Sequence, residues 1–213
     1  MPIFKIKRQL EEMQSLIYDY REELTKLNTE RKEHNQFVKA ISELVKRENL
    51  TIVNVCKDKY GQDSYILLQD ERQVFPLLEG ENFKYSGYYL KGSINLFVIS
   101  EKMYIGKGLR FTDYPYLEAT CNEQEKLHID NLFTQTTGLP YGGYGYGRML
   151  IEAAEAICRR DGYTVLHGML SSYDAQTESA KNHRNGFYEH MGFDMAYKGE
   201  SKKDGGIRKE ICP

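Results

Sequence analysis

The sequence predicts an α+β (mixed α/β) protein: a central mixed β-sheet flanked by helices, preceded by a long N-terminal coiled-coil helix. Three observations lead there. Apolar residues recur every seven positions over the first 45 residues, the pattern then changes to short β-like runs near residue 50, and a glycine-rich turn opens a strongly amphipathic helix. Two parts follow, a coiled-coil helix over 1–49 and a domain over 50–213.

In the first part, one row reads Ile6, Met13, Tyr20, Leu27, His34, Ile41 and a second reads Leu10, Ile17, Leu24, Arg31, Val38, Val45. Spacings that alternate between four and three mark a coiled-coil seam, and charged residues fill the positions between. Such a helix is roughly 60 Å long and cannot bury its stripe against itself. The expected partner is a second copy, giving a homo-oligomer through residues 6–45; a different partner or the protein's own body are the alternatives. Arg31 and His34 fall within the seam, where polar residues set register at a cost in stability.

In the second part, "LTIVNVC", "SYILLQ", "SINLFVIS", "KMYIGKGLRF" and "KLHIDNLF" read as strands. The helix "RMLIEAAEAICRRDG" places Leu150, Ala153, Ala154 and Ile157 on one face, and the strand "YTVLHGML" follows it. A short helix is expected around "RNGFYEHMG", then a hairpin in which "FDMAYKG" and "GIRKEI" flank a turn at Lys203 to Gly206. Strand, glycine turn, helix and strand in that order give a mixed sheet.

Composition narrows the function. A net charge of -2 offers no bulk attraction to nucleic acid or to an anionic membrane. The apolar residues near Met1 are interrupted by Lys5, Lys7 and Arg8, and no segment approaches the roughly 20 apolar residues of a membrane span. Cys56, Cys121, Cys158 and Cys212 include no C-x-x-C pair, which argues against zinc and for free thiols in a reducing cytoplasm. No metal is expected.

Glycines at 142, 143, 145 and 147 leave the backbone bare where a helix begins. Open N–H groups and the positive end of the helix dipole suit a phosphate or pyrophosphate there. A Walker loop would require Gly-Lys-Ser/Thr, yet Arg148 and Met149 follow Gly147. A dinucleotide fingerprint would require a third glycine where Arg148 stands and an acidic residue about 20 positions on, where the chain reads "VLHGML".

The segment GGYGYGRMLIEAAE, from Gly142, resembles the R/Q-x-x-G-x-G/A stretch of the GNAT superfamily of N-acetyltransferases, with Gly145 and Gly147 at the two small positions. Gly142 stands where that family has Arg or Gln, and Arg148 offers a guanidinium nearby. "NGFYEHMGF", Asn185 to Phe193, is similar to the family's F/L-Y-x-x-x-G-F ending, and the resemblance extends over Thr51 to Ile211. It implies acetyl-CoA as co-substrate, with Gly142, Gly143, Tyr144, Gly145, Tyr146, Gly147 and Arg148 around its pyrophosphate. It implies a bulged strand over Leu127 to Thr134, whose Leu132, Phe133 and Thr134 backbone pairs with pantetheine, and a contact from Asn182 or Asn185 to the same arm. Tyr188 is the implied general acid to the departing thiolate. "QTTGLPY" makes the approach to the loop about three residues longer than the family pattern.

For the proton acceptor, His128, Asp130 and Glu118 are the candidates, with His183 and His190 weaker; His128 and Asp130 alternate onto one strand face. The expected activity is N-acetyl transfer to a primary amine of a small molecule or protein, with no nucleic-acid or membrane partner. The alternative is a non-catalytic coiled-coil scaffold with a degenerate domain of this type. Tyr85, Tyr88, Tyr89, Tyr114 and Tyr116 are candidates for an acceptor cleft or for sheet packing.

Overall fold

A computed structural model describes residues 2–79, 84–101, 114–123, 125–134 and 143–212. The chain divides into two compact units, Met1–Leu44 and Val45–Pro213. Helix α1, Pro2–Arg47, runs 46 residues and ends where Asn49 turns left-handed (φ 51) and the Leu50 N–H reaches back to Val45 O at 2.9 Å. Along α1, Met13, Leu16, Ile17, Tyr20, Leu24 and Leu27 are exposed, whereas Phe37, Ile41 and Leu44 are buried. The side chains of Ile6 and Leu10 lie outside the described residues.

The second unit is built on strands β1 (Thr51–Lys57), β2 (Asp63–Asp70), β3 (Gln73–Glu79), β4 (Lys84–Ser100), β5 (Tyr116–Glu123), β6 (Lys126–Phe133), β7 (Val165–Leu170), β8 (Asp194–Lys198) and β9 (Asp204–Glu210). Helix α2 (Tyr146–Asp161) connects β6 to β7, and α3 (Glu178–His190) connects β7 to β8. The sheet order is β1-β2-β4-β5-β6-β7-β9-β8, with β3 paired to β4. Among the described residues only β6 and β7 run parallel, as a strand–helix–strand crossover requires; the other pairs are antiparallel.

The sheet face against α2 carries a large part of the core, and Leu67, Phe97 and Ile99 are buried on the other face. Ile94, Leu96, Val98, Leu117, Ala119, Cys121, Leu127, Ile129 and Leu166 are buried, as are Met149, Leu150, Ala153, Ala154 and Ile157 of α2. The α2 residues are the amphipathic face expected from spacing. Lys209 marks the same face of the sheet: its Nζ lies 2.6 Å from Glu155 Oε1 on α2 and 2.6 Å from Met191 O at the end of α3. The far end of α2 is tied to the β2–β3 turn by Arg72. Its buried guanidinium pairs with Asp70 at 2.5 Å and with Asp161 at 2.8 Å, and lies 6.0 Å over the Tyr163 ring.

One sequence expectation changes, and two others fall on residues that are not described. "KMYIGKGLRF" lies outside the described residues, and so does Gly142. The closing turn lies between β8 and β9, before Asp204, not at Lys203 to Gly206. Gly205 belongs to β9, where a Cβ would collide with Ala196 O on β8, so this glycine serves a close strand approach instead of a bend.

Candidate active site

Strand β6 carries the irregularity that shapes the site. Glu118 pairs with Asn131 and Ala119 with Ile129, so Asp130 is the extra residue of a β-bulge. Asn131 Nδ2 donates to Glu118 Oε2 at 2.6 Å across it. Beyond the bulge the sheet opens. The β6–β7 ladder ends at Ile129↔Gly168, while β6 continues to Phe133 along β5 and β7 continues to Leu170 along β9. Two parallel strands therefore part at a fork, and the β7-facing backbone edge of β6 from Asn131 onward has no ladder partner among the described residues. Gly168 sits at the closed end, where a Cβ would come within 3.0 Å of Ile129 O.

The start of α2 stands at the mouth of this fork. Gly143 (φ 87) and Gly145 (φ 86) adopt the left-handed region that favours glycine, and a Cβ at either would meet nothing within 4 Å. Gly145 caps α2 without any side-chain hydrogen bond, so the first N–H groups of the helix face an open cradle. Gly147 is closed in: a Cβ there would lie 3.0 Å from Thr134 Cγ2 and 3.2 Å from Phe187 Cζ. This one glycine lets the end of β6, the first turn of α2 and the middle of α3 meet.

Sequence-predicted residues occupy these elements unevenly. Leu132 and Phe133 lie on the parted edge of β6 with Thr134 directly after it, and the Phe133 ring stacks on Tyr116 at 5.6 Å. Tyr146 turns its ring into the core and shares a hydrogen bond with Ser100 Oγ at 3.0 Å, so its part in the loop falls to its backbone. Tyr144 is held by Lys59 N–H to its carbonyl at 3.2 Å and by the Tyr60 ring at 4.7 Å. Arg148 is exposed and paired with Glu152 at 2.7 Å. Asn182, His183 and His190 are exposed on α3, while Asn185 is buried and joins Arg184. Tyr114 is buried in the core.

Tyr188 lies on α3 between Phe187 and Phe193, with ring centroids at 5.2 and 5.5 Å. Burial, aided by Asp174, pushes its phenol up from 10 to about 12, so a group already protonated at neutral pH holds its proton more firmly. His128 and Asp130 share the opposite sheet face from the helices, with His128 Nε2 3.8 Å from Asp130 Oδ1. The sheet thus separates Tyr188 from this pair. Cys158 is no rival nucleophile, because burial raises its thiol to about 12.

Sequence reasoning missed Arg184, which donates to the carbonyls of Ser171 and Lys203 at 2.5 and 3.0 Å and so fixes α3 to the end of β7 and to the last hairpin. It also missed His167, which stands beside His128. Neither has a local sequence signal, since their partners are distant in the chain.

No protein-family model and no curated protein matches the chain. Solved structures do resemble it. The likeness is to GNAT-family acetyltransferases. The PaiA N-acetyltransferase from Thermoplasma acidophilum, in complex with coenzyme A, is 14% identical over 55% of this chain and 59% of that one, with a TM-score of 0.39. The chain thus matches about three-fifths of that protein's length. A GNAT-family acetyltransferase from Staphylococcus aureus is 10% identical over 57% of this chain and 69% of its own, with a TM-score of 0.41. The ribosomal-protein-S18-alanine N-acetyltransferase from Escherichia coli is 15% identical over 57% and 69%, with a TM-score of 0.34. Among the described residues, no helix is long and apolar enough to cross a membrane.

Proposed function

We propose that the chain is an acetyl-CoA-dependent N-acetyltransferase acting on a primary amine of a small molecule or protein. The observation that carries this reading is the fork between β6 and β7 with the uncapped, glycine-rich start of α2 at its mouth. The donor set fits the ligand. Bare N–H groups at a helix start suit a pyrophosphate, and an unpaired strand edge suits a chain of amides. Gly143, Gly145 and Gly147 with the backbone of Tyr144, Tyr146 and Arg148 form the cradle; Gly142 belongs to the same proposal. Leu132, Phe133 and Thr134 offer the edge, and Asn182 a contact from α3.

Bound acetyl-CoA would supply an activated thioester and a thiolate leaving group. The chain supplies the rest. The bulged backbone around Asp130 presents N–H groups to developing negative charge. Tyr188 donates its phenolic proton on the helix face, and the His128 and Asp130 pair takes a proton from the amine on the other. The acid and the base thus act from opposite sides of one sheet.

We further propose that the exposed stripe from Met13 to Leu27 pairs with the same stripe of a second copy. Apolar residues that recur at heptad spacing and remain exposed over four turns are the pattern that pairing buries. A cytoplasmic location belongs to the same proposal, on the cysteine spacing alone.

Thermal unfolding with acetyl-CoA, CoA and NAD tests the activity. A ligand at 100 times its dissociation constant adds about 2.7 kcal/mol, a rise of about 5 °C or more at this size. A rise with acetyl-CoA and CoA, but not with NAD, supports the reading. No rise with any of them removes it in favour of a coiled-coil scaffold.

A further inference from the structure

Among the described residues, three buried side-chain oxygens have no hydrogen-bond partner, and all three belong to the hairpin of β1 and β2: Asp58 Oδ2, Gln62 Oε1 and Ser64 Oγ. They share one face of it. Cys56 pairs with Ser64 and Lys57 with Asp63, and the Asp58 N–H donates to Gln62 O at 2.9 Å. Alternation then sets Cys56, Asp58, Gln62 and Ser64 on one side and the ion pair of Lys57 with Asp63 on the other. Burial, Glu152 and Asp58 all raise the Cys56 thiol, as close neighbours on one face do. Asp58 is 5% exposed and Ser64 is fully buried. Ser64 stands opposite Ser100 of β4, which shares a hydrogen bond with the Tyr146 hydroxyl.

Charge decides what this cluster takes. Asp58 Oδ1 accepts from the N–H groups of Tyr60 and Gln62 at 2.8 and 2.9 Å, which orders the turn. No cationic side chain among the described residues pairs with its carboxylate, and the nearby Lys57 is engaged with Asp63 at 2.5 Å. A carboxylate taken out of water is strongly destabilising unless a cation meets it. Calcium sites gather several carboxylates, and magnesium keeps much of its own water. One carboxylate with two neutral oxygens matches a single positive charge. We propose that Asp58 Oδ2, Gln62 Oε1 and Ser64 Oγ bind a monovalent metal ion, sodium or potassium. The site stands behind the glycine loop. The Lys59 N–H donates to Tyr144 O at 3.2 Å, the Tyr60 ring lies 4.7 Å from that of Tyr144, and Tyr144 stacks on Tyr146 at 5.4 Å. An ion that fixes the turn thereby braces the start of α2, a consequence that rests on the acetyl-transfer reading above.

The experiment is thermal unfolding of the full chain in sodium, potassium and choline chloride at equal ionic strength, so that screening is common to all three. The expected result is a Tm about 3 °C or more above that in choline chloride when sodium or potassium is at about ten times its dissociation constant. Which of the two raises it names the ion. Asp58→Asn keeps an oxygen to accept from Tyr60 and Gln62 but removes the charge, and Ser64→Ala removes a hydroxyl that has no partner. Both variants should lose the difference between salts, and Ser64→Ala should match the wild type in choline chloride. Equal Tm in all three salts overturns the site, as does a rise that persists in both variants. A loss in Ser64→Ala that is the same in every salt means a buried water and overturns it too. Calorimetry reads the brace: acetyl-CoA should bind about fivefold more tightly with the ion than in choline chloride. Equal affinity overturns the brace and leaves the ion site, whereas no binding in any salt removes the transfer reading and leaves the ion site.

Discussion

At the scale of single residues, the site depends on groups with one viable identity. Tyr188 carries a phenolic proton, which burial holds more firmly, and its hydroxyl is the only part lost in Tyr188→Phe. That variant should lose about 10²-fold in turnover while acetyl-CoA affinity stays within about twofold, measured by steady-state kinetics and calorimetry. Unchanged turnover would remove the general-acid role. Gly145 is different in kind. At φ 86 a β-branched residue is strained, and its side chain would occupy the open cradle. Gly145→Val should therefore abolish the acetyl-CoA thermal shift. Gly147→Ala should leave the cradle open but press on Thr134 and Phe187, costing about 1–3 kcal/mol in a urea titration.

At the scale of elements, α2 is aimed at the fork by ties at its far end and along its length. Arg72 is buried between Asp70 and Asp161, and breaking a buried ion pair costs about 3 kcal/mol, so Arg72→Met should lower stability by that order. The pH dependence follows from the same cluster. Burial alone would raise both carboxyls, but hydrogen bonds from Arg72, joined by Arg160 at Asp161, outweigh it and hold them below 3.8. A depressed carboxyl contributes stability above its unfolded value and loses it as pH falls through its folded one. Unfolding from about pH 6 to about pH 2 should thus show an acid-side decline starting near 3.8 that flattens in Arg72→Met. A decline of the same shape in the variant would place the acid sensitivity elsewhere.

At the scale of the whole molecule, the helix stripe should set the oligomeric state. Ile17→Glu with Leu24→Glu puts charge on positions exposed in the single chain, so the monomer should keep its fold while pairing is lost. Sedimentation velocity of both proteins reads the difference, and equal sedimentation would end the homo-oligomer proposal. Of the seam expected over residues 6–45, Met13, Ile17, Tyr20, Leu24 and Leu27 are exposed.

The local features are legible in the amino-acid sequence itself. Heptad spacing announces α1, glycines ahead of an apolar stripe announce α2 and its bare start, and a short apolar run announces β2 and alternation β6, because each of these depends on neighbours within a few residues. Gly205 misleads by the same logic: glycine reads as a turn locally, yet here it answers a strand packed against it from β8. What only the tertiary structure decides is how distant segments meet. The Asp130 bulge is defined by its partner strand β5, the fork by where β6 and β7 stop pairing, and the His128–His167 contact by register between strands almost 40 residues apart in sequence. Sheet pairing fixes these relations through hydrogen bonds between remote backbones, and a linear pattern holds no record of which remote backbone that is.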